Sequence, residues 1–168
     1  MKSTRTFVVW TILTLVATSL AAQYPPLSGP EVAAVEREAR AVIENYYRLF
    51  NERDPRGMSE QLFHVPWIYL NPEGTRLFES REETASLFEE SLASIVPRGW
   101  ARSEFPNPTV CVLSLGAATV SGNFYRYKTD GSVLSEHGVT YVVGKTEAGW
   151  RVVSLASHPP GRAIACKD

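Results

Sequence analysis

The chain has few of the residues that most quickly betray a function. Its 168 residues include two cysteines and three histidines. Cys111 and Cys166 lie too far apart for the paired spacing of a zinc site, and the histidines are scattered, so neither a metal nor a cofactor is expected. Basic residues are not in excess: 17 Lys and Arg stand against 18 Asp and Glu. Nucleic-acid binding needs a positive surface to meet phosphate, and no local basic cluster supplies one, so no nucleic-acid partner is expected. No Ser-His-Asp order, phosphate loop or dinucleotide fingerprint is present. The uncharged run Phe7–Leu20 is about 14 residues long, short of the roughly 20 that span a bilayer.

That run instead has the form of a secretory leader. Lys2 and Arg5 precede it, and Ser19-Leu20-Ala21-Ala22 supplies small residues for cleavage before Gln23. Residues 1–22 are therefore expected to be a signal peptide, with an uncleaved anchor as the competing reading. The mature protein would be exported, periplasmic or secreted, with no stable membrane insertion after cleavage. Loss of Lys2 and Arg5 leaves 15 basic against 18 acidic residues, a net of −3. Export permits a disulfide. A Cys111–Cys166 bridge would close a 55-residue loop and add about 4 kcal/mol in the chain-entropy model; the alternative is a free Cys111 buried in a strand.

One domain is expected from the length. Residues 23–30, with three prolines and a glycine, read as a linker. Ser28 and Glu31 fit a capping box. The apolar positions Val35, Ala39, Val42, Ile43, Tyr46 and Phe50 then recur every three or four residues, predicting an amphipathic helix over Glu31–Asn51. A short second helix is expected from Asp54 through Gln61. Phe63–Leu70 reads as a strand, placed at an edge or begun late because Pro66 cannot donate to a ladder. Thr75–Phe78 returns beside it. Ser80 and Glu83 repeat the capping box, and a second helical stripe runs to Pro97-Arg98-Gly99. Trp100–Phe105 is a further strand. The longest regular stretch follows: strands over Thr109–Tyr127 (broken near Gly116), Val133–Lys145 and Trp150–His158, with Asp130-Gly131 as a hairpin signal. Residues 159–168 read as a flexible tail. Helices ahead of a strand meander mean α+β, with the helices on one sheet face; the domain spans 31–158.

Several local marks share one order. They are Phe50-Asn51-Glu52-Arg53-Asp54 closing the first helix, Ser80-Arg81-Glu82-Glu83 opening the third and Tyr127-Lys128-Thr129-Asp130-Gly131-Ser132 at the hairpin. Tyr141-Val142-Val143-Gly144-Lys145 then leads to Gly149-Trp150-Arg151-Val152-Val153. Over Val32–His158 this order resembles the nuclear transport factor 2-like superfamily, in its SnoaL-like branch. The resemblance implies a cone: a curved antiparallel sheet wrapped on N-terminal helices, with an internal pocket. It also implies homodimers through the outer sheet face. Members include ring cyclases, isomerases and dehydratases beside pure binding proteins, so the fold alone does not choose.

Small-molecule sites combine apolar walls with a few polar groups. Tyr47, Trp67, Tyr69, Phe88, Phe124 and Tyr141 are the candidate wall; the plainer reading makes each of them ordinary core. Arg126 interrupts an otherwise small or apolar strand face, where it would bind a ligand carboxylate or pair with Glu136 on the next strand. His64 and His137 are the candidate acid–base groups, since an imidazole titrates near neutral pH. Glu136 and His137 are neighbours in a strand, so one faces inward, and parity does not choose between them. His158 shares parity with Trp150, Val152, Ser154 and Ala156 and is a further pocket candidate. No Asp lies mid-sheet, where an isomerase-type base is expected, which weakens that reading. The leading expectation is an exported protein binding a small, largely apolar molecule. The alternatives are an enzyme of lyase, cyclase or isomerase type with a histidine acid–base, and a dimeric interaction module without a ligand.

Overall fold

The computed structural model describes residues 26–166; the expected signal peptide, the start of the linker and the last two residues lie outside them. Helix α1 covers Gly29–Asn51, α2 Pro55–Leu62 and α3 Arg81–Ile95. The strands are β1 Phe63–Asn71, β2 Gly74–Phe78, β3 Trp100–Glu104, β4 Thr109–Ser114, β5 Ala117–Lys128, β6 Val133–Thr146 and β7 Gly149–His158. The expected order of elements is observed, and the chain is α+β.

The starts of α1 and α3 follow from their capping residues. In α3, Ser80 Oγ accepts from the Glu83 N–H at 3.1 Å while the Glu83 carboxylate accepts from the Ser80 N–H at 3.2 Å. In α1 the Glu31 carboxylate takes both the N–H and the hydroxyl of Ser28. The end of α1 is fastened to the sheet by Asn51, whose amide donates to the Ser103 carbonyl at 3.0 Å and accepts from its N–H at 2.7 Å. One side chain thus imitates a neighbouring strand and fixes how α1 lies across β3.

The sheet runs β2-β1-β7-β6-β5-β3, with β4 also paired to β5. It is mixed rather than wholly antiparallel: β1 lies parallel to β7. That pairing joins chain segments about ninety residues apart, so no local turn announces it. β1 is also not an edge strand, because β2 covers its other side. Pro66 is accommodated by a register shift between Phe63 and Ile68, which leaves it without a partner on β7. The missing N–H therefore costs no ladder bond.

The sheet curls around α1 and α3, and aromatic rings pack together in the space it encloses. Phe63 sits 4.5 Å from Trp67 and 5.3 Å from Phe88, and Trp67 stacks on Phe78 at 4.4 Å. Trp67 is 1% exposed. Its indole N–H donates to Thr84 Oγ1 at 2.8 Å, and Thr84 in turn donates to the Ser80 carbonyl at 2.9 Å. The first turn of α3 is thereby locked to β1 through a fully satisfied buried pair.

Residues 159–166 carry no regular structure, as expected, yet they are tied down rather than loose. Cys166 is bonded to Cys111 on β4, with the two Cα atoms 5.4 Å apart. The Gly161 N–H donates to Asn123 at 3.2 Å and the Ile164 N–H to Ser121 Oγ at 2.8 Å. The tail lies as a strap across the convex face of β4, β5 and β6.

Candidate functional site

Along β5 the alternation is unbroken, so Val120, Gly122, Phe124 and Arg126 project to the concave side and Thr119, Ser121, Asn123 and Tyr125 to the convex side. On β6 the same rule brings His137, Val139 and Tyr141 inward. Between these strands and the helices the cone keeps a cavity of about 100 Å³. Tyr46 from α1, Leu87, Phe88 and Ser91 from α3, and Trp67 and Tyr69 from β1 form one side of it. Phe124, Arg126, Val139, Tyr141, Leu155 and Ser157 form the other.

The polar groups are few and specific. Tyr69 and Ser157 share a hydrogen bond between their hydroxyls at 2.9 Å. Beneath them, the Tyr47 and Tyr141 hydroxyls lie 3.1 Å apart. Burial pushes the Tyr46, Tyr47 and Tyr141 phenols well above their ordinary range, so all three are neutral. Arg126 is the charged member. Its guanidinium lies 5.5 Å over the Phe124 ring, and its Nε is buried without a hydrogen-bond partner. Burial is the main influence depressing its pKa, but a guanidinium retains its proton at any ordinary pH.

Five of the expected wall residues, Trp67, Tyr69, Phe88, Phe124 and Tyr141, therefore meet in one place with Arg126. Tyr47 does not line the cavity. It backs it through Tyr141 and faces a second groove of about 360 Å³ beside Phe105 and Pro106, against whose Phe105 ring it stacks at 5.3 Å. Tyr46, its neighbour on the helical stripe, takes the inward place. Ser157 and Ser91 carry no signal in the sequence beyond strand and helix parity.

The titratable candidates separate. His64 is exposed: Phe63, Trp67 and Tyr69 turn inward, and alternation sends His64 to the outer side. Glu136 is outward too, accepting from the Asn123 amide at 3.0 Å. It is opposite Tyr125, not Arg126, whose partner in register is Ser135; the expected Arg126–Glu136 pair does not form. His158 is also on the convex face. Strand β7 carries an extra residue, because Val142 pairs with Ser154 while Val143 pairs with Val152. That bulge at Val153 reverses parity, so Val152 and Leu155 both point inward and His158 points out. Its Nε2 lies 3.1 Å from Thr140 Oγ1 and its Nδ1 lies 3.0 Å from the Pro159 carbonyl.

His137 is the histidine of the concave side. It sits at the mouth of the cone, stacked on Phe124 at 5.1 Å, with Nε2 2.9 Å from Ser135 Oγ. Partial burial, then Arg126 and Arg98, hold its pKa below the ordinary imidazole value, against a smaller opposing effect of Glu136. Its orienting partner is a hydroxyl rather than a carboxylate. Among the described residues no three His, Cys, Asp or Glu side chains converge as metal ligands.

A family model described as NTF2-like protein (DUF6841) matches residues 37–160. No curated protein matches the chain. Among solved structures, an NTF2-like superfamily protein from Salmonella enterica serovar Typhimurium shares 19% identity over 78% of this chain and 94% of its own, with a TM-score of 0.57. An NTF2-like protein with a cystatin-like fold from Novosphingobium aromaticivorans shares 20% identity over 75% of this chain and 82% of its own, at a TM-score of 0.62. A protein of unknown function with a cystatin-like fold from Nostoc punctiforme reaches the same TM-score at 13% identity, over 77% and 94% of the two chains. At these identities the likeness is one of fold.

Proposed function

We infer the function of a chain that belongs to the NTF2-like family (DUF6841) from what its cone encloses: it is an exported binding protein that holds one small, largely apolar molecule on the concave face of its sheet. The observation that carries this reading is the aromatic-walled cavity itself. A cone whose side chains merely filled it would leave no space beside Tyr46, Phe88 and Phe124, whereas about 100 Å³ is left there. The volume is below the roughly 300–1,000 Å³ of drug-sized sites and near the scale of the engineered cavity of about 150 Å³ that accepts benzene. The part of the ligand that the cavity encloses is therefore no larger than a single ring. Binding is favoured over catalysis because the cavity wall contains no carboxylate or histidine to exchange a proton. Export is supported by the leader-like residues 1–22 and by the Cys111–Cys166 bridge, which suits an oxidising compartment.

Native mass spectrometry of protein purified from its own compartment tests the reading. A retained small molecule, lost on denaturation, is the expected result. Failure of every ring-sized probe to raise the melting temperature, together with an unadorned native mass, would contradict it.

A homodimer is supported by a separate feature. Ile68 and Leu77 are register partners on the outer side of β1 and β2, and with Leu70 they are 41%, 51% and 43% exposed. Adjacent apolar side chains of this size on an outer sheet face suit a second copy. Light scattering of wild type and Leu77→Glu checks it, with the dimer lost in the variant.

A further inference from the structure

We propose that the molecule held in the cone is a small monocarboxylate, its carboxylate paired with Arg126 and its apolar body laid against Phe124, Tyr46 and Phe88. This rests on the binding reading above and assigns its chemistry.

The first ground is the position of the charge. Arg126 is on the concave face by the same alternation that turns Phe124 inward, so its guanidinium cannot swing to the convex side without breaking strand parity. Arg126 is half-buried with its Nε fully shielded, and a cation so placed is costly unless an anion meets it. Among the described residues, however, the guanidinium takes part in no salt bridge, and its Nε has no hydrogen-bond partner.

The second ground is that the protein offers no anion of its own. No Asp or Glu lines the cavity. Glu136 and Glu104, the acids closest in register, both lie opposite Tyr125 on the other face, where Asn123 and Arg102 hold them. The tyrosines beside Arg126 are kept neutral by burial. The other charge felt at Arg126 is a further cation, Arg98, while His137 at the mouth has its charged form disfavoured by both cations and adds no negative charge. Such a one-signed cleft draws anions in.

The third ground is the balance of the walls. Apart from Arg126, the polar side chains lining the cavity are neutral; Tyr69 is paired with Ser157, Tyr141 with Tyr47 and the Trp67 indole with Thr84. One anionic end can be met by the planar fork of a guanidinium. A second charged or strongly hydrated end would face phenyl rings. A fully polar anion such as inorganic phosphate is poorly suited, and so is a dicarboxylate.

Calorimetry on the disulfide-intact protein, with benzoate, benzamide and inorganic phosphate as probes, tests the assignment. Benzoate and benzamide share a ring and differ in charge. Benzoate is expected to bind at least about tenfold tighter than benzamide, because truncating one side of a buried charge pair has effects of that size or larger. Arg126→Gln is expected to erase the difference, and Arg126→Lys to restore part of it. Cooperative melting of both variants shows that they are folded. Equal binding of benzoate and benzamide, unaffected by Arg126→Gln, overturns the carboxylate assignment and leaves cone binding intact. Phosphate bound in preference to benzoate overturns the apolar body. Binding of none of the three, with an unadorned native mass, overturns both the assignment and the binding reading.

Discussion

The two faces of one sheet treat most of their polar groups differently. On the convex face, between β4 and β6, most donors and acceptors form a continuous chain, with Thr119 Oγ1 left unmatched. The Ile164 N–H donates to Ser121 Oγ, which lies 2.7 Å from Thr140 Oγ1, which lies 3.1 Å from His158 Nε2, while His158 Nδ1 meets the Pro159 carbonyl. With the imidazole neutral and its proton on Nδ1, every link has one donor and one acceptor. The face is then sealed by a disulfide. On the concave face the largest polar side chain, Arg126, faces a cavity with its Nε unmatched. Satisfied polar groups hold a fold together. The buried Thr119 Oγ1 and Arg151 Nε are unmatched as well, so what sets Arg126 apart is that it faces a cavity, and this marks the concave face as the working one.

The comparison can be broken from the convex side first. Cys166→Ser releases the strap, and the protein is expected to lose about 4 kcal/mol of stability, read by denaturant unfolding of the pure variant. Benzoate affinity should change little, because the strap does not touch the cavity. Next in size is Thr84→Val. It strands the Trp67 indole N–H in the core, which costs about 1–3 kcal/mol, and the unfolding midpoint should fall accordingly. Thr140→Val interrupts the convex chain between Ser121 and His158 and should cost about 1–2 kcal/mol. Amide exchange at Ile164 would show whether the strap loosens with it.

The smallest expected effect is on the concave side. His137 should titrate below the ordinary imidazole value in an NMR pH series, since burial, Arg126 and Arg98 disfavour its charged form. A folded-state pKa lowered in this way leaves stability intact above about pH 6.5 and removes some as the pH falls from there toward the lowered value, where the unfolded chain binds the proton first. Arg126→Gln should move the His137 resonance back toward the ordinary pKa.

Much of this was legible in the chain because it is local. Ser80 and Glu83, the Asp130-Gly131 hairpin and the helical spacing from Val35 to Phe50 each act within a few residues, and the elements form where those signals are. The concave wall was legible for the same reason: alternation along β5 and β6 places Phe124, Arg126 and Tyr141 together. His64 was misplaced although the signal existed, since Phe63 and Trp67 already claim the inward parity around it. The remaining errors have non-local causes. The parallel β1–β7 pair joins distant segments. The bulge at Val153 reverses the parity of His158, and no proline or glycine marks it. Glu136 and His137 were indistinguishable because the convex face beneath Gly138 and Thr140 is covered too, by a strap anchored 55 residues from its partner cysteine. Tyr46 and Tyr47 are adjacent on one helical stripe, and only the tertiary position of Phe105 decides which of them faces the cavity.

The central claim is that Arg126 is kept for a partner outside the chain and at some cost to the fold. The most direct test is the melting temperature of ligand-free Arg126→Leu beside that of Thr140→Val, without added anions. If the claim holds, Thr140→Val melts lower than wild type while Arg126→Leu melts higher, by about 2–4 °C for each kcal/mol recovered. If Arg126→Leu instead melts lower by as much as Thr140→Val, Arg126 is a structural residue like those of the convex face, and the account is wrong.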